Sequence, residues 1–349
     1  MSDGGDKSFL ASASCYPGFV VLLCTDTTVY LSGPASLWEL DQRSNTPKRL
    51  ARLPFPWPHR QAAGWRYLRR LARLDLRGLI QVPGGNLLGI IQKKIISIQR
   101  DSGETRCVFQ VSDGGRPNGF ALTSTGHLFV GEYWGNPRRQ SLRIWASDNA
   151  GENWELAHTL PANSAKHIHN LVWDPFRQGV WVLTGDGDNE SALLFSPDEF
   201  KTVNEVVRGG QIYRACRLFC LPEGLYYGTD TERDQNWFVH LEVEHGRVHK
   251  IIPLPSSCLS SAYMAGQYFI STAVEPSKVN YYRKAVLWSS SNLYNWSKRV
   301  EFEKDWLPGE YFYFGIIVLP QVQKSFSKVI FSTLALKKHD LTTFIANNL

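Results

Sequence analysis

A chain of 349 residues that is 43% hydrophobic, with 12 Trp, 14 Tyr and 18 Phe, has ample material for a packed core, which excludes an intrinsically disordered protein. Its formal charge is +6, from 38 Lys and Arg against 32 Asp and Glu, a mildly basic balance. No zinc-finger spacing or other nucleic-acid signature accompanies it, and no stretch approaches the ~18 apolar residues of a membrane span, so neither a nucleic-acid partner nor a membrane span is expected.

The chain opens on polar residues, Ser2 to Lys7, and its first apolar run, Gly18 to Cys24, is too short and too late for a signal peptide. Six cysteines (Cys15, Cys24, Cys107, Cys216, Cys220, Cys258) form no CxxC pair and read as mostly buried thiols of a reducing, cytoplasmic compartment. Phe19 to Leu31 is strand-like. Helical periodicity is confined to about Arg60 to Leu74, where Arg66, Arg69, Arg70 and Arg73 gather. Such a cluster attracts a polyanion, or it is an exposed amphipathic segment whose Leu68, Leu71 and Leu74 pack inward.

Beyond this point the chain is strand and turn. Short strands, most of them glycine-bearing, recur after turns at Asn86–Ile91, His127–Tyr133, Gly179–Asp186, Gly224–Asp230, Gly266–Thr272 and Lys328–Thr333. Their spacing of roughly 40 to 60 residues is that of one four-stranded propeller blade apiece. Another apolar strand precedes several of them, as in Phe120-Ala-Leu-Thr and Asn170-Leu-Val-Trp, and an outer pair follows, as in Leu142–Ser147 and Trp154–His158. The expected fold is an all-β propeller forming a single domain over residues 1–349. Six blades are expected, with five or seven open. Phe19 to Leu31 either closes the ring with the C-terminal strands or joins a further blade.

The most specific motif is Ser147-Asp-Asn-Ala-Gly-Glu-Asn-Trp154, which follows the Asp-box pattern Ser-x-Asp-x-Gly-x-x-Trp with one substitution. Asp148 stands one place early and Asn149 holds the usual aspartate place. Either side chain can bond backbone N–H groups of the turn while Gly151 takes a positive φ. Trp154 is expected to be largely buried, as is Trp296 in a degenerate copy, Ser289-Ser-Ser-Asn-Leu-Tyr-Asn-Trp296. Ser196-Pro-Asp-Glu-Phe200 is a weaker echo.

On these residues the chain resembles the sialidase-like, Asp-box or BNR-repeat propellers, from about Leu79 to Leu334, with a general likeness to uncharacterised propellers associated with polysaccharide genes. The resemblance implies a carbohydrate-active protein and an acidic glycan as ligand. It supplies no catalytic residue, because Asp-boxes lie at the periphery. An Arg-Ile-Pro motif and a clear arginine triad are missing, which argues against sialidase activity.

In a propeller, residues at equivalent strand ends meet at one mouth. Glu132 and Tyr133 end one inner strand, and Lys166-His-Ile-His-Asn170 begins the next blade. Asp186, Asp188, Gln211, Arg214, Asp230 and Glu275 follow at the same phase. His167 and His169 are two apart, so on a strand both face one side, an arrangement that lets two imidazoles share a divalent metal ion with Asp186 or Glu132. The bland alternative is a pair of histidines bonded to neighbouring backbone or carboxylates. Glu132, Asp186, Asp230 and Glu275 are candidate acids or bases for glycoside hydrolysis. A lyase would use His167 or His169 as base, with Arg214 neutralising a uronate and Tyr133, Gln211 and Glu275 lining the ligand. The other class is a non-catalytic propeller scaffold that binds a glycan or a protein.

Overall fold

Runs such as Val20-Val-Leu-Leu-Cys24 and Val329-Ile-Phe-Ser-Thr-Leu334 are rich in residues that fit a pleated, buried surface, and they pair into antiparallel sheets. The computed structural model describes residues 7–41, 46–111 and 115–347; the polar start at 2–6 lies outside the described residues. The described strands form seven sheets, the blades of an all-β propeller fold. They fall into two compact units, one of residues 1–76, 101–105 and 255–349, the other of residues 77–100 and 106–254.

The first unit holds three blades. Blade 1 comprises Val20–Cys24, Thr28–Gly33, Ser36–Asp41 and Lys48–Arg52, and Gln321–Val322 adds to it in parallel. Blade 6 runs from Cys258–Met264 through Gln267–Thr272 and Lys284–Ser290 to Ser297–Glu303. Blade 7 contains Ile316–Val318, Val329–Leu334 and Thr342–Ala346, and its fourth strand is Ser14–Pro17, paired antiparallel to Thr342–Ala346. Val21, Leu31, Phe269, Leu287 and Phe331 belong to one buried cluster of this unit.

The second unit holds four blades. Blade 2 is Leu79–Gln81, Leu87–Ile91, Lys94–Ile98 and Thr105–Gln110. In blade 3, Arg116–Pro117 and Ala121–Leu122 both pair with Leu128–Tyr133, which leads to Leu142–Ser147 and Glu155–Leu160. Blade 4 is His167–Asp174, Gly179–Gly185, Ala192–Ser196 and Asn204–Arg208, and blade 5 is Phe219–Leu221, Gly224–Gly228, Asn236–Glu242 and Arg247–Leu254.

The count is therefore seven and not six. The six recurring strands are the second strands of blades 2 to 7, and the uncounted blade is the first, with Thr28–Gly33 as its second strand. Phe19 to Leu31 contributes to this blade.

The Arg60–Leu74 segment also differs from expectation. It forms two short helices, Trp57–Ala63 and Arg66–Leu71, in which Leu68 and Leu71 are exposed while Arg69 and Arg70 are buried and Leu74 packs inside. Arg69 bonds Asp75 and the Gly18 and Ser32 carbonyls. Arg70 reaches Asp305, Asp340 at 2.8 Å and the Phe312 carbonyl. A buried guanidinium is tolerable only with such partners; Asp75 lies six residues from Arg69, while the partners of Arg70 lie more than two hundred positions away, beyond any helical period. The cysteines are free; Cys24 and Cys258 are buried, Cys216 and Cys220 partly so, and Cys15 and Cys107 are exposed, against the expectation for those two.

Two turns between third and fourth strands share one hydrogen-bond scheme, and a third, in blade 6, keeps only its serine-to-asparagine bond. In blade 3, Ser147 Oγ donates to Asn149 Oδ1 and accepts from the Gly151 N–H, Asn149 Oδ1 accepts from the Asn153 N–H, and Gly151 has φ +86°. Asp148 is exposed and Asn149 makes the turn's bonds. Blade 4 repeats the scheme with Ser196, Asp198, Phe200 and Thr202, so the weakest echo in the sequence is the fullest copy in bonding. In blade 6 the turn starts at Ser290, one place later than the sequence suggests, and uses Asn292. Trp154 and Trp296 are half-buried rather than enclosed, because each indole N–H donates to a turn carbonyl at the blade's outer edge.

Candidate functional site

Within the second unit, the ends of blades 3, 4 and 5 gather a polar cluster around Asp186. The strand His167–Asp174 carries a bulge between Ile168 and Asn170, so His169 is unpaired in the ladder and its side chain is re-aimed beside that of His167. The ring centroids are 4.8 Å apart. Gly185, the last residue of the neighbouring strand, leaves the room this needs: a Cβ there would lie 2.6 Å from His169 Cε1. Asp186 follows at once, and its Oδ1 lies 3.3 Å from His167 Nε2 and 3.2 Å from His169 Nε2.

The other nitrogen of each ring fixes the tautomer. His167 Nδ1 lies 3.0 Å from the Trp134 carbonyl and His169 Nδ1 3.0 Å from the Ala215 carbonyl. A carbonyl only accepts, so each Nδ1 carries a proton, and in a neutral ring each Nε2 carries a lone pair. Burial pushes the His167 pKa down, more than the Asp186 carboxylate lifts it, so His167 is neutral near pH 7. Its buried Nε2 has no hydrogen-bond partner.

Asp186 also faces cations. Lys166 Nζ is 2.7 Å from its Oδ2 and Arg214 Nη2 is 3.1 Å from its Oδ1. Burial alone would raise the Asp186 carboxyl; the imidazoles facing it and Arg214 outweigh burial and hold it well below the usual carboxylate range. Of these, only Arg214 acts without depending on an imidazole proton. Arg214 further contacts Asp230 at 3.5 Å, and Glu232. Burial would lower its pKa, but the Asp230, Asp186 and Glu232 carboxylates raise it above the ordinary arginine value. Three carboxylates thus surround two cations.

Gln211 Nε2 donates to the Asp186 carbonyl at 3.0 Å and to Asp188 Oδ1 at 2.6 Å, bracing the loop that presents Asp186. Tyr133 packs on the His167 ring at 4.2 Å under the Arg116 guanidinium, and burial pushes its phenol up to about 12, so it stays protonated. Asp230 accepts from the Cys216 thiol at 3.2 Å. The cluster meets solvent at Asp186 and Lys166, whose side chains are 18% and 30% exposed.

Two expected residues are placed elsewhere. Glu132 precedes Tyr133 on the same strand and so points to the opposite face. Its carboxylate bonds Arg143 at 3.1 Å and the Trp145 indole at 3.3 Å, a pairing internal to blade 3. Glu275 belongs to the first unit, just after the strand Gln267–Thr272, and is not among the residues this cluster gathers. Cys216, Glu232 and Arg116 were not anticipated. Cys216 and Glu232 each stand two places beyond an anticipated residue, Arg214 and Asp230, which was the available signal.

Two donor sets could hold a metal ion: His167, His169 and Asp186, or His169, Cys216 and Asp230. The second is disfavoured chemically, since its imidazole nitrogen already donates to Ala215 and burial with the Asp230 carboxylate pushes the Cys216 thiol well above its usual value. The first set suits a metal ion by donor type: two imidazole Nε2 atoms and a carboxylate oxygen converge, and the outer ring nitrogens face backbone carbonyls.

No family model and no curated protein matches the sequence. Among the described residues no helix is long and apolar enough to cross a membrane. Solved structures share the fold at low identity. An oligogalacturonate lyase from Vibrio parahaemolyticus superposes with a TM-score of 0.62 at 10% identity, covering 96% of this chain and 91% of that one. An oligogalacturonate lyase in complex with manganese gives 0.62 at 9% identity, covering 97% and 91%. A GH74 xyloglucanase from Xanthomonas campestris gives 0.56 at 13% identity, covering 82% of this chain and 46% of that one. The propeller fold of this chain is therefore one that carbohydrate-active proteins also use.

Proposed function

We propose that this propeller is carbohydrate-active and takes the carboxylate of an acidic glycan at the Asp186 cluster, with a divalent cation as cofactor. The observation that carries the reading is the buried, unpartnered Nε2 of neutral His167, 3.3 Å from an ionised carboxylate oxygen. Lone pairs that converge in this way repel unless a proton or a metal ion lies between them, and a metal ion would engage His169 Nε2, 3.2 Å from the same oxygen, as well. His167, His169 and Asp186 would hold the ion, which when bound supplies positive charge to a uronate carboxylate. Arg214 offers a planar fork to the same carboxylate, and Lys166 stands at the solvent-facing side.

Lyase chemistry suits these residues better than hydrolysis. Hydrolysis needs a carboxylic acid that is protonated near neutral pH. Asp186 is held ionised, and Glu132 is committed to Arg143. Neutralising a uronate carboxylate acidifies the neighbouring C–H; in β-elimination a base takes that proton, the C=C forms and the bond to the leaving sugar oxygen breaks, and Arg214 would share in the neutralisation by exchanging one of its carboxylate partners for the uronate. The Asp-box likeness of the three turns supports the same substrate class through the fold alone.

A second reading rests on Lys166 and Arg214, which already neutralise Asp186. On it the cluster is a bonded structural centre of a non-catalytic glycan- or protein-binding scaffold. One experiment separates the two: metal analysis of the purified chain, followed by incubation with oligogalacturonate before and after chelation, watching for the ultraviolet absorbance of an unsaturated uronate. Stoichiometric metal and chelator-sensitive product support the enzyme. A metal-free protein that neither binds nor cleaves any acidic oligosaccharide removes this proposal.

A further inference from the structure

The helical segment of the first unit carries an exposed surface of one chemical kind. From Trp57 to Leu74 the sequence holds five Arg and no Asp or Glu; Arg69 and Arg70 are buried in ion pairs, and Arg60 and Arg66 face solvent. Trp57 and Trp65 are 71% and 72% exposed, among the most exposed large hydrophobics described, and Tyr67, Leu68 and Leu71 join them. Trp65, Leu68 and Leu71 follow one another at three-residue steps and so lie along one side of the second helix. Arg60 and Arg66 are exposed beside them; Arg60 bonds the Phe55 carbonyl and Arg66 the Tyr67 hydroxyl, and among the described residues neither has an ion pair with a carboxylate.

The segment is anchored rather than loose. Its opposite side sends Arg69 to Asp75 and Arg70 to Asp305 and Asp340, and Arg73 stacks on Tyr313 at 3.6 Å. The neighbouring turn Gly309–Phe312 adds exposed Tyr311 and one carboxylate, Glu310. The outer surface is thus held in place with its tryptophans, leucines and arginines turned outward.

We infer that this surface docks on an anionic lipid bilayer as a peripheral contact. Tryptophan and leucine beside arginine, with Glu310 of the neighbouring turn as its one acid, is a composition that enters the headgroup boundary of a negatively charged membrane. A sugar chain would match the aromatic rings but not the aliphatic Leu68 and Leu71. A second copy of the chain would oppose like charges. The inference stands apart from the Asp186 cluster and does not depend on it.

The test is co-sedimentation of the purified full chain with vesicles of phosphatidylcholine alone and of equal parts phosphatidylcholine and phosphatidylglycerol. Binding is expected to the anionic vesicles only, to weaken with added salt, and to fall at least tenfold in the variant Trp57→Ser/Trp65→Ser/Leu68→Ser with its melting temperature unchanged. Should that variant fail to fold, Arg66→Glu carries the test, because the Arg66 guanidinium touches only exposed Tyr67. No binding to either vesicle, equal binding to both, or equal binding by wild type and variant overturns the inference. Capture of a soluble acidic polysaccharide by these residues without vesicle binding, or loss of a solution dimer in the variant without it, does so as well.

Discussion

His169 shows how much of a site hangs on one missing Cβ. At Gly185 an alanine methyl would meet His169 at 2.6 Å from Cε1 and 2.8 Å from Nε2, so Gly185→Ala must push the imidazole off Asp186. Overpacking of this kind costs about 1–3 kcal/mol, and cation binding measured by calorimetry is expected to weaken at least tenfold. Glu132→Gln should behave in the opposite way. It breaks a buried pair with Arg143 and lowers the melting temperature, yet leaves cation and uronate affinity unchanged, because its carboxylate faces Arg143 and Trp145. A loss of affinity in Glu132→Gln would return Glu132 to the site. The sequence offered Glu132 and Tyr133 together; strand alternation separates them, and only the structure reveals which face the cluster occupies. Glu301 supplies a pH dependence with a definite sign. Burial would raise its pKa, but Lys284, Tyr282 and Lys298 bring it down from 4.5 to about 2. A carboxyl with a depressed folded pKa stabilises fully above its unfolded value and loses that contribution as pH falls toward the folded value. The difference in melting temperature between wild type and Glu301→Gln is therefore expected to be constant above about pH 5 and to vanish between 4.5 and about 2. A difference that persists unchanged at pH 2 would show that the carboxylate pairs contribute nothing.

At the scale of elements, the repeated turn was legible where its residues kept their letters and obscure where only the bonding was kept. Ser147 and Gly151 mark the blade 3 turn plainly. Blade 4 places Phe200 where blade 3 has Gly151, at φ +73°, and buries the ring against Phe129 at 4.9 Å. A letter pattern ranks that copy last, although its hydrogen bonds follow the same scheme. The two turns should respond differently to exchange. Gly151→Ala meets Leu88 Cδ1 at 2.3 Å as well as an unfavourable φ, and about 1–3 kcal/mol of destabilisation is expected. Phe200→Gly relieves the backbone but empties a buried aromatic site, so a loss of about 2–4 kcal/mol should remain in denaturant unfolding. A Phe200→Gly variant as stable as wild type would mean that backbone strain at φ +73° outweighs the ring's packing. The helical segment failed as a sequence reading for another reason. Periodicity assigns leucines to the inside by default; Asp75 stands six places from Arg69, but nothing local announces that Asp305 and Asp340 wait for Arg70.

For the whole molecule, strand recurrence identified the propeller, while the blade count came out one short because Phe19 to Leu31 fits ring closure as well as a further blade, and blade 1 also takes Gln321–Val322 from far along the chain. The candidate cluster was legible in its spacing and not in its bonding: His167 and His169 two apart, then Asp186, Arg214 and Asp230 at successive strand ends, say nothing about which carbonyls orient the rings. Those carbonyls belong to different blades, Trp134 at the end of blade 3 and Ala215 before blade 5, with the histidines on blade 4. A cation at His167, His169 and Asp186 would therefore be held by blade 4 alone, but through rings that blades 3 and 5 position. Any ligand that binds the folded state and not the unfolded one adds stability by mass action, about 2.7 kcal/mol at a hundredfold excess over its Kd. Titration with manganese or zinc is accordingly expected to raise the melting temperature by a few degrees, and chelator to reverse the rise. His167→Ala should abolish the rise while costing the apo protein little, since the lone-pair repulsion it removes offsets the packing it loses. Glu301→Gln, in the other unit, should keep the full rise. A wild-type melting temperature that ignores both metals, or a rise that survives His167→Ala, would place the cation elsewhere and leave the three side chains as a bonded structural cluster.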